Sequence, residues 1–424
     1  MKLFKKSGLA AALYASAALI SVNAAMAQDQ INLRMLIWSA NEDHLRLLNE
    51  IADAYKAQNP QVSVTYEAVP YGEFPTTLTT QIAGGNAPDL TWLTETGSFD
   101  FIAAGAMFPL TETFRTTEGY ELKDYAQASI DSWSQDGELY FYPFSTSPFA
   151  VFVNNDVVRE ANQKTPAELI AEGNWDWQHA VEIGSAVNGE TGKHGIVFRD
   201  FDYTSWTRLA PLYTAWDVKL WSEDGKTCMM TSPEMVDAMS FLHDAIFEKK
   251  AMPGPGVAAD FFAGDAAMTI TQISRANLLP TGDNAFEWDL VPLPAGPIGE
   301  YGYVGAAGIG VLKASPHAQE AADFLAFFSN KENVTKLARY FPPTRSSVLT
   351  PEVLAASNPL LSVEQLTDVV IKGVTEGRSA AGHTNYEQIV QNVRASLDSL
   401  WVPDADVAQV LQATCDNLNP LLQR

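Results

Sequence analysis

Residues 140–158 read Tyr-Phe-Tyr-Pro-Phe-Ser-Thr-Ser-Pro-Phe-Ala-Val-Phe-Val-Asn-Asn-Asp-Val-Val. Two aromatic and β-branched runs flank the small polar patch Ser145, Thr146, Ser147, with Pro143 and Pro148 on either side. Apolar runs of this kind bounded by Pro and Ser are strand signals. A residue before proline is held in extended backbone, so Phe144-Ser-Thr-Ser-Pro148 should run straight rather than coil. Such a segment suits a chain crossing between two lobes, with its hydroxyls lining the gap between them. The competing reading is a hairpin with a polar loop, and the flanking sequence has to decide.

Upstream, residues 31–38 form a strand signal, and Ser39 to Glu42 has the spacing of a capping box. Leu47, Leu48, Ile51, Ala52 and Tyr55 then recur at helical spacing until Asn59-Pro60. Residues 62–69 predict a second strand, 74–83 a second helix closed by Gly84-Gly85, and 88–93 a third strand. This alternation predicts a parallel α/β lobe. Downstream, a Trp- and Ala-rich helix over 165–187, a strand at 195–198, a helix opened by Ser232-Pro233 and a strand near Thr269-Ile270 predict a second α/β lobe. Residues 302–310 and 341–346 are two further candidate crossings.

The N-terminus carries Lys2, Lys5 and Lys6, an apolar run over 9–22 and Ala25-Met26-Ala27. That is the pattern of a secretory leader cleaved after Ala27, with an apolar run shorter than the ~20 residues a membrane span needs. The expected location is the periplasm. Residues 28–424 are enough for two or three domains of roughly 100–200 residues each. The formal charge of −24 repels phosphate backbones and anionic lipid, so nucleic acid is not an expected partner. The two cysteines, Cys228 and Cys415, would bridge in an oxidising compartment; two separate buried thiols are the other reading.

No His-Glu-x-x-His, Cys-x-x-Cys or Gly-x-Ser-x-Gly is present, so no zinc or acyl-transfer constellation, and no cofactor, is expected. Gly225-Lys226-Thr227 lacks the first glycine of a phosphate loop, and Lys313 replaces the third glycine of a dinucleotide fingerprint.

Five motifs, in order, resemble those of the family 1 extracellular solute-binding proteins of carbohydrate ABC transporters. They are Ile82-Ala-Gly-Gly-Asn-Ala-Pro-Asp-Leu90, Phe152-Val-Asn-Asn-Asp156, Phe262-Ala-Gly-Asp-Ala-Ala-Met268, Gly308-Ile-Gly-Val311 with the stretch Ser315 to Phe324, and Pro343-Thr-Arg-Ser346. The resemblance implies a two-lobed α/β periplasmic binding protein fold of type II with three hinge crossings. The expected N-terminal lobe is 28–144 plus 305–343, and the C-terminal lobe 145–304 plus 344–424. Both cysteines would then share one lobe, which makes their bridge geometrically reasonable.

The resemblance also implies a carbohydrate ligand gripped between the lobes, a membrane permease as partner, a monomer and no catalysis. Alignment of the motifs puts ligand contacts at Trp38, Asn41, Asp43, His44, Glu95, Ser145, Thr146, Asp202, Tyr203, Trp206, Gln272, Ser274, Arg275, Gly305, Arg345 and Tyr386. Several have plainer readings: Trp38, Tyr203 and Trp206 as core aromatics, and Asp43 and His44 as solvated first-turn residues. Thr271-Gln-Ile-Ser-Arg275 stands where maltodextrin binders carry tryptophans, which removes an aromatic platform and adds a charge. An acidic sugar held by Arg275 and Arg345 is one alternative, and a secreted carbohydrate-active enzyme using Glu95 or Asp202 is another.

Overall fold

The computed structural model describes residues 30–423 apart from Ala126, Ser132 and Asn358. The leader expected over residues 1–27 lies outside the described residues. Among the described residues no helix is long and apolar enough to cross a membrane.

The hairpin reading of the central stretch is wrong. A single strand, β4 (Phe141–Asn154), runs through it after β1 (Ile31–Ile37), β2 (Val62–Ala68) and β3 (Leu90–Thr94). It is followed by β5 (His194–Phe198), β6 (Ala266–Gln272), β7 (Trp288–Val291) and β8 (Val304–Val311). Together they form one eight-stranded mixed sheet of order β2-β1-β3-β8-β4-β6-β5, with β7 also on β4. The first part of β4 pairs with β8 (Pro148 opposite Val304, Phe141 opposite Gly310), the last part with β6 and β7. One strand therefore belongs to both halves of the molecule, and β8 returns beside it to reach β3.

Each half packs as a layered α/β unit because strands buried on both faces need helices above and below. In the first half, α1 (Glu42–Gln58) buries Leu48, Ile51, Ala52 and Tyr55, and α2 (Phe74–Ala83) and α3 (Glu95–Ala103) connect the strands. In the second, α4 (Trp177–Thr191) and α5 (Pro233–Phe247) cover the sheet. The N-cap of α1 is Asn41, whose side chain accepts from the amides of Asp43 and His44, rather than the expected Ser39. Glu42 is then the first helical residue, and the capping box does not form.

The third crossing differs from expectation. Residues 341–346 run along β4, where Pro342 O accepts from the Thr146 amide at 3.1 Å and the Thr344 hydroxyl donates to Pro143 O at 2.8 Å. Just beyond this stretch the chain keeps to the first half: Arg345 and Ser347 bond to Asp124, and the Ser357 hydroxyl donates to Thr335 O at 3.4 Å. It meets the second half from Gln365, whose side chain donates to Asp289 of β7 at 2.8 Å, and crosses at 373–378, where the Val304 amide donates to Arg378 O and the Arg378 amide to Gly302 O. Gly373 and Gly377 permit this. A Cβ on either would lie 2.5 Å from Pro148 Cβ or 2.6 Å from Val304 Cγ1, inside the two crossing strands. Residues 344–357 thus still touch the first half beyond the expected boundary at 344. After the passage, α6 (Tyr386–Leu397) and α7 (Val407–Leu422) complete the second core.

Cys415 on α7 is bridged to Cys228, 187 residues earlier. Closing so long a loop restricts the unfolded chain and stabilises by about 5 kcal/mol in the chain-entropy argument. Cys415→Ser should lower the melting temperature by several degrees, and thiol titration of denatured, unreduced protein should find none. Two titrating thiols would show that the bridge does not form in solution.

Candidate functional site

Strand β3 ends at Thr94, whose hydroxyl accepts from the Gly97 amide and caps α3. This puts Glu95 at the first position of α3, beside the crossing strands. Its carboxylate is only 7% exposed and accepts at 3.0 Å from the amide of Ala306 on β8. Burial pushes the carboxyl up to about 7, against the amides of Glu95 itself and Ala306 and the positive charge of Arg208. Ser145, Thr146 and Ser147 on β4, each buried, pair with Ala307, Ala306 and Gly305 of β8. The Ser147 hydroxyl is buried with no hydrogen-bond partner among the described residues. Gly305 lets Gln272, at the end of β6, approach: a Cβ there would sit 3.3 Å from its amide nitrogen.

Groups from the second half face this floor. The Arg208 guanidinium lies 5.3 Å from the ring centroid of Tyr71, which belongs to the first half. The Asn385 amide donates to Asp100 of α3 at 2.7 Å, and Tyr386, at the start of α6, reaches Thr96. Gly382 packs on the Phe99 ring with no room for a Cβ. The two halves are therefore clasped over a polar cleft floored by the crossing strands. Ligands of α/β folds bind at the carboxyl ends of strands, and Glu95 and Gln272 stand at such ends.

The sequence pattern that defines the bacterial extracellular solute-binding protein family matches residues 41–335. The chain belongs to that family. A lactose-binding protein of Rhizobium radiobacter is 24% identical over 76% of this chain and 75% of its own. The sn-glycerol-3-phosphate-binding periplasmic protein of Escherichia coli is 24% identical over 97% of both chains. An ABC substrate-binding protein from Listeria monocytogenes, solved in complex with cycloalternan, has the same fold. Its TM-score is 0.80 at 21% identity, covering 93% of this chain and 99% of that one.

In this solute-binding protein the expected contacts divide. Glu95, Ser145, Thr146, Gln272, Gly305, Arg275 and Tyr386 are gathered at or beside the cleft, with Ser274 in the turn before Arg275. Trp38 stands edge-on to Tyr71, Phe74 and Trp92, in the wall of the first half. Asn41 is occupied as a helix cap. Asp43 is an exposed partner of Arg46 at 2.6 Å. His44 packs between Tyr340 and Phe341 with Nδ1 hydrogen-bonded to Ser39 Oγ, and burial pushes it down to about 4.

Four others serve the fold. Trp206 is buried, its indole N–H donating to Val390 O at 3.2 Å. Tyr203 packs on Phe201 and Trp401 and donates to Pro253 O. Asp202 accepts from the hydroxyls of Thr204 and Ser205 in a local turn. Arg345 is 2% exposed, pairs with Asp124 at 3.1 Å, donates to Ser329 O at 3.1 Å and lies over Tyr120 and Tyr125. A buried guanidinium so fully engaged has nothing left for a ligand.

Tyr71, Arg208 and Asp100 escaped the motif alignment. Arg208 shares a 3-10 turn with Trp206, and the tryptophan facing the core is the signal that its neighbour faces away. A surface depression of about 530 Å³ beside Trp216, Met229 and Ile298 is lined by none of the cleft residues.

Arg345→Ala leaves Asp124 unpaired and should cost about 3–5 kcal/mol, lowering the ligand-free melting temperature by many degrees; an unchanged melting temperature would return Arg345 to the ligand. For Glu95 the folded pKa lies above the unfolded one, so the closed state takes up a proton. Its contribution is whole below pH 4.5 and is lost as pH rises through about 7, by roughly 3 kcal/mol in total. The difference in melting temperature between Glu95→Gln and the parent should grow from pH 5 to pH 8, and a flat difference would refute the shift.

Proposed function

We propose that the protein is the periplasmic receptor of an ABC importer. It captures a sugar, oligosaccharide or sugar derivative between its lobes and hands it to a membrane permease. The clasp of Tyr71 with Arg208 and of Asp100 with Asn385 across the crossing strands carries this reading. A ligand touching both lobes is bound fully only when they are closed, so it selects that state. The relatives named for lactose and sn-glycerol 3-phosphate support a small polyhydroxy solute.

The chemistry of the cleft fits such a solute. Glu95, Gln272 and the β4 hydroxyls offer acceptors and donors for sugar hydroxyls, and Tyr71 offers an aromatic face for the C–H side of a ring. Bending would be concentrated where β4 and β8 slip register, between Ser145 and Pro143. Proline has no amide proton to give to the ladder, so pairing there is locally weak.

The protonated fraction of Glu95 at neutral pH is the observation that favours an enzyme. A glycosidase needs a second carboxylate across the bond to be cut. Asp202, the other carboxylate considered, is committed to its own turn. On the proposed reading, the receptor returns its solute unchanged.

Incubation with a panel of mono- and disaccharides should raise the melting temperature for a narrow set, the stabilisation reaching about 2.7 kcal/mol at a hundred times Kd. The same tubes should hold no product. Product accumulating in proportion to protein would establish an enzyme instead.

A further inference from the structure

The second lobe presents a concentration of positive charge to the cleft in a chain with 27 basic and 51 acidic residues. Arg199 follows β5, Arg275 follows β6, and Arg208 lies on the short turn between them in the fold. Asp200 is the shared counter-charge of two of them, 3.3 Å from Arg275 and 3.8 Å from Arg199. Arg208 makes no ion pair among the described residues and contacts Tyr71 through its ring face. The Nε of Arg199 is buried without a hydrogen-bond partner, and its guanidinium lies 5.0 Å from the Phe262 ring centroid.

Arg275 and Arg199 share one carboxylate, and Arg208 has the partly protonated Glu95 in its field. Burial, and after it the charges of Arg199 and Arg208, push Arg275 below its ordinary value against the opposing pull of Asp200. A charged cluster that the fold does not neutralise costs stability unless something else supplies the balance. Arg208 reaches across to the opposite lobe, its guanidinium 5.3 Å from the Tyr71 ring centroid, and Arg275 lies in its field. Arg275 is 40% exposed, so its fork is open to a ligand.

We propose that the solute carries an oxyanion, a carboxylate or a phosphate ester on a sugar-sized body, gripped by Arg208 and Arg275 beneath Tyr71. Planar guanidiniums hold such groups through paired N–H donors, and a neutral hydroxyl would leave the cluster uncompensated. Arg199 adds to the field from behind Asp200. This rests on the cleft being the solute site, and it narrows the ligand class that the receptor reading leaves open.

The test is calorimetric titration of the purified chain with matched pairs: glucose against glucuronate and glucose 6-phosphate, and glycerol against sn-glycerol 3-phosphate. At least one acidic member should bind about tenfold or more tightly than its neutral parent. Arg208→Gln and Arg275→Gln should each weaken that binding by about tenfold or more, with Arg208→Lys restoring only part. The ligand-free melting temperatures of the glutamine variants should equal or exceed the parent's, since each removes a charge from the cluster. A neutral sugar binding as tightly as its acidic partner, or glutamine variants with undiminished affinity, would overturn the proposal while leaving a sugar receptor intact. Mass spectrometry of the natively purified protein separates the two readings further. A neutral sugar released from it would refute the anion, whereas an anion that is not a sugar would refute the carbohydrate reading and uphold this one.

Discussion

The backbone pairing of β4 with β8 is the constraint on which the remainder of the molecule depends. Thirteen of the fourteen residues of β4 are buried, and the strand is bonded to the first half at one end and to the second at the other. A strand so enclosed should be apolar throughout, yet Ser145, Thr146 and Ser147 occupy its middle. Their backbone groups are satisfied by β8 and by Pro342 O, and strand alternation turns Ser145 and Ser147 to the face opposite Thr146. A break in this ladder would separate the two cores rather than loosen one of them, because among the described residues no other strand joins both sets of partners.

The same pairing sets the chemistry of Glu95. Its carboxylate is bonded to the Ala306 amide on β8, so its environment changes when the lobes move about the crossing strands. Buried, it prefers its proton; open to water, it would ionise in the ordinary range. The arginines on the opposite wall act on the same site from the second lobe, where Arg208 lowers the energy of the ionised carboxylate. A ligand anion and an ionised Glu95 would compete for that guanidinium.

Much of the fold was legible in the sequence. The strand–helix alternation of residues 31–93, the extended character around Pro143 and Pro148, and the five motifs led to the two-lobed architecture, because local periodicity and proline geometry act over a few residues. The capping of α1 was not legible at single-residue precision: Asn41 and Ser39 are both good caps, and only the path of the chain after Trp38 chooses between them. Beyond the expected third crossing, residues 344–357 still bond to first-half partners. The Pro-Pro-Thr-Arg stretch does lie on β4, and nothing local reveals that the following segment keeps packing on the first core.

The division of the arginines and aromatics shows where sequence alone stops. Side-chain type and position told that Glu95, Gln272 and Arg275 follow strand ends, and strand ends line the cleft of this fold. Whether a side chain turns inward or toward the cleft depends on a few tens of degrees of backbone rotation and on which partners wait nearby. Trp206 and Arg208, two residues apart on one turn, point to opposite environments. Arg345 found Asp124, Tyr120 and Tyr125, all distant in sequence, and is consumed by them. The chain by itself determined the architecture and the strand ends that carry the site. Long-range packing decided which charges remained free to meet a solute.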